Sequence, residues 1–207
     1  MNKEKIKQYL AEKDKKLLPL ITLLPYPVNH RSSKDVYGAL LYSIVSQQLS
    51  VKAVETIHER LLNLFDNNDP KPEALLKMSF VNLQSAGLSK QKVSYVQAIA
   101  QIAYEGGLIY EKLSKKSDEE LIKHLTKIHG VGQWTVEMLL MFVFNRKNIF
   151  PVADVGIQNT MRKLYGLEEE GRDFKKKLIL IAEQWQPYRT VVTRYLWAWK
   201  SKGYVKN

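Results

Sequence analysis

The residues best placed to do chemistry lie between Leu125 and Asp154, in the run LTKIHGVGQWTVEMLLMFVFNRKNIFPVAD. Gly130 and Gly132 bracket Val131 in a six-residue hairpin from Ile128 to Gln133. Glycines there let the backbone adopt conformations closed to other residues and let a ligand come close. The helix that follows opens with amides lacking intrahelical partners, which form an anion site without a charged side chain. A backbone phosphate is the natural occupant, although a Gly-x-Gly also suits a plain interhelical turn. Asp154 stands 20 positions beyond Trp134 and starts a helical pattern, so its residue type alone reads as an N-cap. Trp197 is the other unusual residue. At about 100° per residue it falls opposite the apolar stripe of Tyr188, Val192, Tyr195 and Trp199, beside Thr190 and Thr193. An aromatic off that face requires a second packing surface or a ligand.

Helices must position these residues. Ser117 followed by Glu120 is a capping-box start, and Leu121, Ile122, Leu125 and Ile128 keep helical spacing into the hairpin. A second, very apolar helix follows the hairpin. Asp154 begins another helix that runs to about Leu164 and is closed by Gly166, and further helices are read near Arg172–Trp185 and from Pro187 onward. Upstream, Val36, Tyr37, Leu40, Leu41, Ile44 and Val45 form one stripe, interrupted by Gln47-Gln48-Leu49-Ser50. Ser89 caps a helix carrying Val93, Val96, Ile99, Ala100 and Ala103. Residues 1–16 read as a surface helix, and Pro19, Pro25 and Pro27 as an extended connector. No alternating strand, internal repeat or low-complexity tract is found, so the fold class is all-α. The division expected is an N-terminal helix and connector over 1–34 packed on a core over 35–207, with the hairpin unit at 118–144.

Composition narrows the function classes. The 207 residues carry 32 Lys+Arg against 21 Asp+Glu, a formal charge of +11 that suits a polyanionic partner. Charge alone does not choose between DNA, RNA, an anionic membrane and an ordinary basic surface. The absence of cysteine excludes disulfides, thiolate catalysis and Cys-held zinc or iron–sulfur clusters. His30, His58, His124 and His129 form no metal-ligand pattern, so no catalytic metal and no cofactor are expected. The charged start MNKEKIKQYLAEKDKK lacks a signal-peptide core and no apolar run is long enough to span a bilayer, so an intracellular protein without a membrane partner is expected.

From about Tyr37 to Trp199 the chain resembles the helix-hairpin-helix base-excision DNA glycosylases, whose signature is the Gly-Val-Gly hairpin and an Asp about twenty residues further on. The resemblance is closest to the 3-methyladenine DNA glycosylase II branch. It implies two helical lobes with a central cleft, here without the strand-rich N-terminal extension of larger members. It makes Asp154 catalytic, facing the sugar of an extruded nucleotide, a role compatible with capping. Trp134 stands where glycosylases with lyase activity carry a Schiff-base Lys, which implies a monofunctional enzyme. The resemblance places Trp134, Trp197, Gln47, Val51 and Met138 in the substrate pocket. Gly130, Gly132, Gln133, Thr135, Ser89 and Lys90 are placed on DNA, with Lys92 in the same loop as Ser89, and Gln48 takes the wedge position. A structural monovalent ion would sit on the carbonyls of Thr126, Ile128 and Val131.

The reading that follows is a monomeric glycosylase that removes alkylated purines from double-stranded DNA. A non-catalytic helix-hairpin-helix DNA-binding module is the competing class. Uracil, mismatched thymine or hypoxanthine is the competing substrate; an oxidised-guanine specificity is disfavoured by the Trp at position 134.

Overall fold

Ser117 caps its helix as the spacing predicts: its hydroxyl accepts the Glu120 amide at 3.2 Å while Glu120 Oε2 accepts the Ser117 amide at 2.7 Å. This local rule and others like it build the all-helical chain seen in a computed structural model, which describes residues 2–29 and 33–203. His30 lies outside the described residues. No strand occurs among the described residues, and no helix there is long and apolar enough to cross a membrane. The chain divides into two units, one formed by residues 33–139 and one by 1–32 with 140–207.

In the 33–139 unit the long helix Lys90–Tyr104 is the centre. Val36–Ser46, Pro72–Lys77 and Phe80–Ser85 pack around it, burying Leu40, Ile44, Leu75, Leu83, Val96 and Ile99. Asp35, Ser50, Ser79 and Ser89 each cap a helix start through a side-chain oxygen. Asp118–Leu125 leads into the hairpin, and Gln133–Phe142 leads out of it.

The other unit wraps its first residues onto the C-terminal helices. Lys3–Lys13 buries Ile6 and Leu10, and these join Phe174, Leu178, Trp185, Tyr195 and Leu196 in one core. The extended connector expected at Pro19 is instead a helix, Leu18–Leu23. Pro19 stands in its first turn, where a missing amide costs nothing because that amide would have no helical acceptor. The C-terminal helices run Val155–Tyr165, Gly171–Glu183 and Arg189–Ser201. Gly166 ends the first of them in the left-handed conformation, φ 66°.

Asp14 ties this unit together across the sequence. Its buried carboxylate accepts the Tyr165 hydroxyl at 2.5 Å and the Trp185 indole N–H at 2.9 Å on the same oxygen. Burial, and then the bond to Asp14, push the Tyr165 phenol far above its ordinary range. Removing the carboxylate strands the buried Trp185 donor, at about 1–3 kcal/mol, and the part-buried Tyr165 hydroxyl, at about 1 kcal/mol. Asp14→Ala is therefore expected to lower the unfolding free energy by about 2–4 kcal/mol in urea titrations. A loss below half a unit of that scale would mean the two donors find other partners.

Candidate active site

Within the 33–139 unit, the hairpin is shaped by one glycine that has no substitute. Gly130 has φ 87°, and the Tyr95 ring occupies the space a Cβ there would need. Tyr95 also meets the His129 ring edge-on at 4.7 Å. The Val131 amide closes the turn on Ile128 O at 3.0 Å. Gly132 differs from the expectation, because its φ is not in the left-handed region and a Cβ there would meet open space. What its lack of a side chain leaves is clear access to the backbone.

Gln133 opens the next helix exposed, and its Nε2 donates to Glu137 Oε1 at 3.0 Å. Thr135, which the resemblance puts on DNA, is buried with only 2% of the residue exposed. Glu137 is also buried, a carboxylate in an apolar helix that sequence reading passed over. Trp134 and Met138 are half-buried one turn apart on a shared helix face.

The loop after Val36–Ser46 is held from two sides. Gln47 Nε2 donates to Gly130 O at 3.2 Å, joining this loop to the hairpin. Lys92 Nζ donates to Val45 O at 2.8 Å and Gln47 O at 2.9 Å, a cation on the negative end of the helix. Burial holds this ammonium's pKa below the ordinary lysine range. Lys92 therefore points inward rather than toward DNA as the resemblance implied, while Ser89 and Lys90 are exposed. Gln48 follows, exposed and in the left-handed region at φ 58°, a conformation costly for a residue with a side chain. Leu49 beside it is 40% exposed, an apolar loop tip the sequence reading did not single out. Val51 starts the next helix; its side chain lies outside the described residues.

In the other unit, Asp154 and Trp197 meet. Asp154 caps Val155–Tyr165 by accepting the Ile157 amide on Oδ1 at 2.8 Å. Trp197 Nε1 donates to the same oxygen at 3.2 Å. The cap and the indole contact thus share one carboxylate oxygen. Trp197 stacks on Phe142, centroids 6.0 Å apart with planes 17° from parallel. The Thr190 and Thr193 side of this helix is buried against the loop at 146–149: Thr190 Oγ1 donates to Arg146 O at 2.7 Å and accepts the Ile149 amide at 3.0 Å. So the helix has the second packing surface its pattern required, and Trp197 extends it to Asp154.

Two more residues complete this corner. A Cβ on Gly156 would stand 3.0 Å from Asp154 Oδ1 and 3.5 Å from Lys200 Nζ. The glycine thus leaves room for carboxylate and ammonium beside the helix start. Lys200 is one turn from Trp197, which is the only sequence signal it gives. Chemically, the corner offers a fixed carboxylate beside a half-buried indole, suited to stabilising positive charge on a ligand.

Comparison with known proteins matches residues 41–187 to the family described as HhH-GPD superfamily base excision DNA repair protein. The DNA-3-methyladenine glycosylase 1 of Schizosaccharomyces pombe is 35% identical over 173 residues, covering 83% of this chain and 75% of that protein. YfjP of Bacillus subtilis is 32% identical over 169 residues, 79% of this chain but 58% of its own length. Among solved structures, the Schizosaccharomyces pombe 3-methyladenine DNA glycosylase Mag1, in complex with abasic DNA, superposes with a TM-score of 0.86. That match has 34% identity and covers 96% of this chain and 97% of Mag1.

Proposed function

The chain belongs to the HhH-GPD superfamily of base excision DNA repair proteins, and on that premise we propose that it is a monofunctional DNA glycosylase acting on alkylated purines in duplex DNA. The observation that carries the reading is the Asp154 carboxylate, fixed through Oδ1 by the Ile157 amide and the Trp197 indole.

In the proposed reaction the glycosidic bond breaks toward the base, and its electron pair goes to the ring nitrogen. A cationic N-alkylpurine is neutralised by that pair, so it leaves without a strong general acid. The sugar becomes oxocarbenium-like, and Asp154 stabilises the charge in the transition state more than in the ground state. Water then adds at C1′ and loses a proton, leaving an abasic site. The Trp197 indole beside Asp154 suits a cationic aromatic ligand. In the 33–139 unit, Trp134, Met138 and Gln47 are each pocket candidates in their own right. Trp134 has no amine to form a Schiff base, which supports hydrolysis without strand cleavage.

For DNA, backbone amides at Gly132–Thr135 are the proposed phosphate donors, with Ser89 and Lys90 at a second point. Gln48, with Leu49 beside it, is proposed to fill the space of the extruded nucleotide. The carbonyls of Thr126, Ile128 and Val131 are the oxygen donors available to a structural monovalent cation.

The test is base release from methylated duplex DNA, followed by alkali to reveal abasic sites. Free alkylpurine with strand breaks appearing only after alkali is the expected result. Breaks without alkali would overturn the monofunctional assignment. DNA binding that falls steeply with salt, but with no base released, would instead identify a binding module.

A further inference from the structure

Three successive carbonyls at the end of Gln133–Phe142 are each taken by a donor from elsewhere. Leu140 O accepts the Arg146 amide at 2.8 Å, Met141 O accepts Arg194 Nη2 at 2.5 Å, and Phe142 O accepts Asn29 Nδ2 at 2.9 Å. Such carbonyls lack intrahelical donors, and a cation among them meets the negative end of the helix dipole. Arg194 also does something the other two do not. Its guanidinium carbon lies 5.1 Å from the centroid of the Phe142 ring. That ring is the one stacked on Trp197, and Trp197 holds Asp154. The result is a continuous line from Arg194 through Phe142 and Trp197 to the carboxylate.

Arg194 is a costly residue for packing alone. It is half-buried, and burial lowers the pKa of its guanidinium. Its Nε is buried without a hydrogen-bond partner among the described residues, and it forms no ion pair with a carboxylate there. A half-buried cation without a carboxylate partner is unfavourable, whereas a Met or Leu would fill the volume without that cost. What the cation does hold is the end of one helix and the face of one ring, and both fix Phe142.

We infer that Arg194 is a positioning residue for Asp154, acting through Phe142 and Trp197; the inference rests on the glycosylase reading of Asp154. Guanidinium and Phe142 set the plane of the Trp197 indole, and the indole N–H, through Oδ1, sets the orientation of the Asp154 carboxylate.

The experiment labels the tryptophans with 5-fluorotryptophan and assigns the Trp197 fluorine resonance by its loss in Trp197→Phe. Arg194→Met is expected to shift or broaden the Trp197 signal while that of Trp185 stays in place. Single-turnover base release from methylated duplex should slow by about tenfold, the scale of a small misplacement of a reacting group. Binding to abasic DNA should be unchanged. Arg194→Lys, which keeps the charge, should recover much of the rate. In a Trp197→Phe background, Arg194→Met should add no further loss, because both act through the same indole. An unmoved Trp197 signal with a wild-type rate overturns the inference. So does a loss that multiplies independently of Trp197→Phe, or an Arg194→Lys protein as impaired as Arg194→Met with all four signals displaced. If the wild type releases no base, the glycosylase reading itself falls, while the fluorine signal, which needs no substrate, still decides whether Arg194 orders Trp197.

Discussion

Asp154→Asn is expected to release alkylpurine about 10²–10³-fold more slowly than the wild type, the loss typical when a group that stabilises transition-state charge is removed. By transition-state arithmetic this is about 3–4 kcal/mol of barrier. The substitution is informative because Asn keeps the geometry. Ile157 N–H and Trp197 Nε1 both donate to Oδ1, and an Asn oxygen can accept both. Asn is also among the best N-caps, so the Val155–Tyr165 helix should keep its start. The negative charge is lost, and the second carboxylate oxygen becomes an amide donor. Asp154→Ala would confound the result, since deleting the cap costs about 1 kcal/mol of stability by itself. The measurement is single-turnover release from methylated duplex, with thermal unfolding and binding to abasic DNA as controls. Both controls should match the wild type. An Asn variant that releases base at the wild-type rate would remove Asp154 from the chemistry and leave it a helix cap.

Much of the fold was legible because helix starts are local events. Ser117 with Glu120, Ser89, and Asp154 each cap within three residues of themselves, so spacing alone places them. Gly166 likewise announces its left-handed stop. Pro19 misled for a physical reason: proline excludes a helix interior but fits a first turn, and only the residues that later bury Leu20 and Ile21 decide between them. The candidate site was legible in part. Asp154, Trp134 and the hairpin glycines stand in one stretch, and the off-stripe position of Trp197 marked it as needing a partner. Which partner could not be read, because Trp197 and Asp154 meet across 43 residues and Phe142 across 55. The same holds for Lys92 on Val45 and Gln47, Tyr95 on Gly130, and Asp14 under Tyr165 and Trp185. Each is a tertiary contact whose members carry no shared local pattern. Lys92 shows the consequence most plainly, since a lysine in a loop read as approaching DNA bonds the carbonyls that end a neighbouring helix.

The two hairpin glycines should separate under substitution, although sequence treats them alike. Gly130→Ala forces a side chain into φ 87° and into the Tyr95 ring, which packs on the hairpin at Gly130 and edge-on to His129. The backbone term alone costs about 1–2 kcal/mol, and displacing the ring adds a packing term of similar size. The turn should distort, loosening the Gln47 bond to Gly130 O and the entry to Gln133–Phe142. Stability is expected to drop by about 2–4 kcal/mol, with DNA affinity and base release falling together. Gly132→Ala meets open space and an ordinary φ, so the folded protein should be as stable as the wild type within about 0.5 kcal/mol. If a phosphate rests on the amides that begin at Gly132, the added methyl stands between backbone and ligand. Gly132→Ala should then weaken duplex binding by about tenfold while leaving the unfolding curve in place, an amount comparable to losing one charge-assisted hydrogen bond. Urea unfolding and fluorescence-anisotropy binding on the same samples distinguish the two effects. A Gly132→Ala protein that binds DNA like the wild type would move the phosphate contact elsewhere on the chain, and a stable Gly130→Ala protein would mean that Tyr95 yields without consequence for the hairpin.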